Sequence, residues 1–263
     1  MRRLLALWRY RGFILTSVKR EFQSKYRHSM LGAAWMVLNP LAMILVYTVV
    51  FSKVMQARLP GVENGFAYSI YLCAGVLTWG LFSEITSRSV TVFLDNGNIL
   101  KKLAFPRITL PVGLVLSALL NFAIIFSLFI LFLLASGTFP GVVIVAVVPL
   151  LLLQILFSIS LGIILGVLNV FFRDVGQLFT IILQFWFWFT PIVYPVDILP
   201  PLARDWLWLN PMADLIGGYQ RILVYGEWPV WNQLYWPAIL SVVLMVMGYR
   251  LFSRHNGEMV DEL

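Results

Sequence analysis

The chain has 263 residues, of which 60% are hydrophobic, 15% aromatic and only 12% charged. An average soluble domain carries about 25% charged residues, so this composition cannot cover a water-facing surface and excludes both a soluble globular domain and a disordered chain. A lone cysteine, Cys73, excludes a disulfide-stapled secreted scaffold, and the net charge of +7 matters through where it sits.

The N-terminal stretch 1–28 holds Arg2, Arg3, Arg9, Arg11, Lys19, Arg20, Lys25 and Arg27. Leu4, Leu5, Trp8, Phe13, Ile14 and Val18 fall between these cations at roughly helical spacing. The pattern reads as an amphipathic helix lying on the inner membrane face; the plainer reading is a cationic flank before a span. Cations interrupt every candidate apolar core, so a signal peptide is not expected.

Uncharged runs follow at 29–52, 64–83, 108–172, 175–196 and 228–249. A helix needs about 20 apolar residues to cross the hydrocarbon core. The third run is about three times that length, and Ser136-Gly137-Thr138-Phe139-Pro140-Gly141 divides it with turn chemistry. Six crossings are expected, at about 30–52, 66–87, 108–135, 142–171, 176–196 and 230–251, all helical because lipid leaves no other way to satisfy the backbone. Arg88, Lys101, Lys102, Arg107, Arg173, Arg250 and Arg254 fall on the same side as the N-terminal cluster. Only Lys53, Arg58, Arg204 and Arg221 fall on the other, so both termini are expected in the cytoplasm.

Two connections are unusual. In the cytoplasmic segment 95–107, Asp95 or Asn96 can cap a short helix with Ile99, Leu100 and Leu103 on its apolar face, stopped by Phe105-Pro106. Such a face is costly in water. It is covered by a cytoplasmic partner or lies on headgroups held by Lys101, Lys102 and Arg107. The outer segment 198–227 is too apolar for a plain loop, and Asn210-Pro211 breaks it into halves too short to span. It reads as a re-entrant hairpin, with Asp205, Asp214 and Arg221 at the outer interface or lining an exit; an interfacial helix pair anchored by Trp206 and Trp208 is the other reading. Near the outer end of the fifth span, Phe185-Trp186-Phe187-Trp188-Phe189, with Tyr194 behind, form an interfacial belt or a surface on which sugar rings can stack and slide.

The sequence has no phosphate loop, Rossmann fingerprint, nucleophile elbow or metal-ligand spacing. The basic cluster points to headgroups rather than nucleic acid. With almost no ionisable residues in the expected spans, a proton relay is disfavoured, and energy for transport would come from another chain.

Ordered motifs then carry a resemblance. Lys25 to Leu41 (KYRHSMLGAAWMVLNPL), Asn98 to Arg107 (NILKKLAFPR), Phe171 to Gln177 (FFRDVGQ), Phe189 to Tyr194 (FTPIVY), Leu209 to Pro211 (LNP) and Gly218 to Arg221 (GYQR) resemble the membrane subunits of ABC-2 type polysaccharide exporters. The resemblance covers nearly the whole chain and implies an all-α integral membrane protein of the bacterial inner membrane, with residues 29–263 as its transmembrane domain. It implies a homodimer with two copies of a separate ATPase, so that ATP and magnesium belong to the partner and this chain is no enzyme. Asn98, Leu100, Lys101, Lys102, Phe105, Pro106 and Arg107 would meet that ATPase. The substrate implied is a polysaccharide on an undecaprenyl pyrophosphate carrier, of O-antigen, capsule or teichoic acid type. Lys25 and Arg27 are then placed to attract the pyrophosphate or to act only as anchors. Phe185, Trp186, Trp188, Phe189 and Tyr194 become candidates for the polymer path, and Asn210, Pro211, Asp214 and Arg221 for an outer gate. A permease for a drug or plain lipid is the nearer rival. A membrane-embedded transferase is the more distant one, since no polar catalytic set converges at one depth.

Overall fold

The computed structural model describes residues 11–26, 32–54, 59, 65–97, 101, 109–255 and 257–262. Among them every regular element is helical, as the composition predicts. Helix α1 covers Arg11–Tyr26. Helix α2, Trp35–Tyr47, runs directly into a π-helical stretch, Thr48–Val54. Then come α3 (Ala67–Asp95), α4 (Thr109–Ala135), α5 (Val147–Phe171) and α6 (Asp174–Trp188). The connection after α6 holds α7 (Pro201–Asp205) and α8 (Pro211–Gln220), and α9 (Tyr235–His255) and α10 (Glu258–Glu262) complete the order.

Four helices, Ala67–Asp95, Thr109–Ala135, Gly141–Phe171 and Trp231–His255, are long and apolar enough to cross a membrane. Val37–Phe51 is a shorter apolar helix. Helix α6 has 15 residues and is about 22 Å long. Its run was expected to stay helical to 196, but Pro191 bars the residue before it from continuing the helix, and the chain turns at Phe189–Pro195. The turn expected between α4 and α5 is present, with Gly137 and Gly141 at φ +70 and +66, where only glycine sits without strain.

Helix α3 departs from expectation at its end. It was expected to stop near 87 with Arg88 in a loop, yet it continues to Asp95 because no breaker intervenes and Glu84 and Arg88 pair four residues apart on one face. Asn96 bonds back to the Val92 carbonyl at 2.8 Å as the helix ends.

Helix α3 is also the centre of the fold. Of its apolar window 78% is buried, against 22%, 33% and 22% for α4, α5 and α9 with their lead-in turns. It is the least apolar of the four, and its hydroxyls turn inward onto their own helix: Thr78 bonds to Ala74 O and Thr86 to Phe82 O, both at 2.7 Å. Helix α5 joins it through paired amides and glycines. Gln154 Nε2 donates to Thr78 O at 2.6 Å and Asn169 Nδ2 to Val90 O at 3.0 Å. Between these contacts, Gly162 and Gly166 meet Ser89 so closely that an added Cβ would lie 2.5 Å from Ser89 Cβ and 2.4 Å from Ser89 O. These contacts advance together along both helices, so α3 and α5 run parallel. Gly248 of α9 against Ile164 and Phe171 against His255 make α5 and α9 parallel as well.

Candidate functional site

Two polar constellations sit at opposite ends of α3. The first gathers the turn after α6. Pro191 ends the helix and leaves carbonyls that the start of α3 collects. Tyr68 OH donates to Val193 O at 2.8 Å, and Tyr71 OH lies 3.0 Å from Pro191 O and 2.9 Å from Tyr194 O. Gln220 of α8 adds a bond to Pro191 O at 3.2 Å. Asn210 is the hub between α6 and α8. Its Oδ1 accepts from Met212 N at 3.1 Å, which caps α8, and from Trp186 Nε1 at 2.8 Å. Its Nδ2 donates to Thr190 Oγ1 at 2.9 Å and to Phe189 O at 3.3 Å. Pro211 occupies the first helical position of α8 and is buried.

The aromatic run divides by helix face. Trp186 turns inward against Trp79, Phe82 and Phe157, and Phe187 packs on Trp79. Phe185, Trp188 and Phe189 point outward, 61%, 62% and 71% exposed. Tyr194 is half-buried and donates from its OH to Trp188 O at 2.6 Å. The outward face of α6 continues through Leu178, Ile181 and Ile182, and it also carries exposed Gln177 and Gln184. Bare amides on an otherwise apolar helix are expensive against hydrocarbon, so this face suits water or protein better than lipid.

Beside the hub, Asp214 and Arg221 share a cavity of about 420 Å³ with Tyr71, Asp197, Glu227 and Gln233. Arg221 pairs with Glu227 at 2.7 Å, both well exposed. Burial pushes the Asp214 carboxyl up to about 6. Because the folded chain holds this proton more tightly than the unfolded chain does, the contribution of this group to stability is fully present below about pH 4 and is lost as pH rises through about 6. Replacing Asp214 by Asn removes that loss. The variant is expected to melt above the wild type at about pH 7.5 and level with it near pH 3.5, as read by thermal unfolding in detergent.

The second constellation lies at the other end of α3. Arg88 Nη2 is 2.6 Å from Glu21 Oε1 of α1, and Arg88 Nη1 is 3.3 Å from Glu84 Oε1. Asn121 of α4 donates from Nδ2 to Glu84 Oε2 at 3.0 Å. All three charged side chains are about one-quarter to two-fifths exposed. A cleft of about 490 Å³ between α1, α3 and α4 opens beside them, lined by Ser17, Arg20, Thr91, Asp95 and Thr109 among others. Sequence reasoning missed this cluster by placing Arg88 in a loop. The signal was present: Glu84 and Arg88 stand four apart in a stretch with no glycine or proline from 81 to 96.

Of the remaining expected site residues, Lys25 falls in the last turn of α1, and Lys101 is helical and exposed. Arg27, Asn98, Leu100, Lys102, Phe105, Pro106 and Arg107 lie outside the described residues, as do positions 1–10 of the expected amphipathic helix. Within α1, Val18 is buried and Leu15 is exposed.

The sequence pattern of ABC-2 type transporters matches residues 13–224. The chain is 32% identical over 259 residues to the O-antigen export system permease protein RfbA of Myxococcus xanthus, covering 98% of this chain and 97% of that protein. It is 28% identical over 244 residues to a protein of the same name from Klebsiella pneumoniae, covering 92% and 91%. The polysialic acid transport protein KpsM of Escherichia coli is 22% identical over 242 residues, covering 92% of each chain.

Proposed function

The chain belongs to the ABC-2 type transporter family, and from that premise we propose that it is the permease subunit of a polysaccharide exporter. The observation that carries the reading is the end-to-end likeness to O-antigen export permeases. The outward aromatic face of α6 supports it further, because flat apolar rings beside amides suit sugar rings and their hydroxyls, and contacts without strong direction let a polymer slide.

In this reading the chain crosses the bacterial inner membrane six times with both termini in the cytoplasm. The parallel course of α3, α5 and α9 supports it, since each intervening stretch must carry the chain back across to the side where the preceding helix started. Helix α6 and its turn reach from Asn169, which accepts from Gly176 N at 2.9 Å, to the Tyr68 and Tyr71 end of α3. The segment 198–227 is a re-entrant outer hairpin, supported by the deep burial of Met212, Leu215, Ile216 and Tyr219. Two copies pair through faces that include α6 and enclose the path, lined by Phe185, Trp188 and Phe189. Trp186, Asn210 and Pro211 hold the outer gate in shape, and Asp214 and Arg221 border it. A separate ATPase in two copies, holding ATP and magnesium, acts on the segment from Asn98 to Arg107. Lys25 and Arg27 attract the pyrophosphate of an undecaprenyl-linked polymer on the inner side.

Deleting the chain is expected to leave lipid-linked polymer inside the cell, seen by extraction and blotting against surface polymer. Restoring the wild type returns export, and restoring Trp188→Ala returns folded protein with slowed export. Normal surface polymer after deletion would overturn the function, and wild-type export by Trp188→Ala would remove that side chain from the path.

A further inference from the structure

On the side of the bundle that holds Arg88, a groove of about 310 Å³ runs along the seam of α5 and α9. Ile164, Met247 and Leu251 line its apolar part, and Arg250, Arg254 and His255 its polar part. Met247 and Arg254 are seven positions apart, so the lining changes from apolar to basic over about 10 Å along α9. Among the described residues no ion pair engages Arg250 or Arg254, and both are exposed. His255 is held in place: its Nδ1 lies 3.1 Å from Leu251 O and its ring packs edge-on against Phe171. The tight crossing of Gly248 on Ser160 and Ile164 fixes the seam itself.

We propose that this groove is a binding site for an anionic phospholipid of the surrounding bilayer. The phosphate lies between the guanidinium groups of Arg250 and Arg254, which stand one turn apart and offer several donors to its oxygens. One acyl chain lies against Met247, Leu251 and Ile164, where the seam enters the hydrocarbon. The order of the lining matches the order of a phospholipid from headgroup to tail. A free phosphate would use only the basic half. The lipid bridges α5 and α9 at the end where the two helices finish, so it steadies the packing of the last helix on the bundle.

The test uses the chain with its ATPase in nanodiscs of phosphatidylethanolamine containing a minor fraction of phosphatidylglycerol. After transfer to detergent, retained lipid is weighed by native mass spectrometry. The wild type is expected to retain phosphatidylglycerol in preference to phosphatidylethanolamine. The double variant Arg250→Gln/Arg254→Gln should lower that retention about 25-fold, roughly fivefold for each cation removed. Arg250→Lys/Arg254→Lys should keep most of it. Met247→Trp fills the apolar slot without touching either cation and should lower retention as well, which keeps the test informative if the double Gln variant misfolds. Undiminished phosphatidylglycerol in both the Gln and Trp variants overturns the proposal. So does a photo-crosslinker at position 247 that captures the ATPase or a second copy instead of lipid. Displacement of the lipid by undecaprenyl pyrophosphate, but not by inorganic phosphate or phosphatidic acid at equal concentration, would assign the groove to the carrier substrate and also overturn it.

Discussion

Replacing Arg88 by Gln is expected to release α1 from the bundle and to cut export severely. Arg88 sits between Glu21 and Glu84, at 2.6 and 3.3 Å. Without it, Glu21 and Glu84 lose the cation they share across a partly buried gap. An exposed ion pair contributes about 0–1 kcal/mol, whereas stranding one member of a buried pair costs about 3–5 kcal/mol. These groups lie between those extremes, so the loss is about 2 kcal/mol, enough to shift the docking equilibrium of α1 roughly thirtyfold. The readout is thiol labelling. Cys73 is fully buried, so a cysteine placed at Ser17, in the cleft beside the cluster, reports alone. Ser17→Cys should react faster with a polar maleimide in the Arg88→Gln background. A cycle of Glu21→Gln, Arg88→Gln and the double variant isolates the pair. Labelling and export both unchanged in Arg88→Gln would show that the cluster holds nothing.

The second large effect is steric. Gly166→Ala places a methyl group 2.4 Å from the Ser89 carbonyl oxygen, and backbone cannot yield there without moving the helix. Gly162→Ala meets Ser89 Cβ at 2.5 Å, an obstacle that is a side chain. Both should destabilise the crossing of α3 and α5 by about 1–3 kcal/mol, the usual cost of overpacking. They differ in rescue. Ser89→Gly should restore Gly162→Ala to near wild-type melting temperature and leave Gly166→Ala impaired. Gly80→Ala, where an added Cβ meets nothing within 4 Å, is the neutral control. Equal rescue of both variants, measured by thermal unfolding in detergent, would contradict the described crossing.

Much of the fold was legible because lipid imposes long uncharged runs: the run that became α9 announced itself by length, and the one that became α4 and α5 by its length together with the turn that divides it. The turn at Gly137 and Gly141 and the break at Asn210-Pro211 were legible from residue chemistry. The end of α3 was not. Counting charges places Arg88 outside a span, while a guanidinium flanked by two carboxylates can stay in a helix that protein covers. The aromatic run shows the same limit. Five rings in sequence must point all round a helix, but only the packing tells that Trp186 donates to Asn210 while Trp188 faces outward. Asn210 itself read as a helix breaker in the sequence, and three of its four partners, Trp186, Phe189 and Thr190, lie some twenty residues earlier, where only the folded chain brings them together.

The 29 residues of α3 form an unbroken rod about 43 Å long. Its lower tip is tied to α1 through Arg88, and its upper tip is tied through Tyr68 and Tyr71 to the turn that leaves α6. A stiff rod moves both tips at once. Any tilt imposed at the Arg88 end must therefore reappear at the Tyr68 end as a tug on three backbone carbonyls, those of Pro191, Val193 and Tyr194.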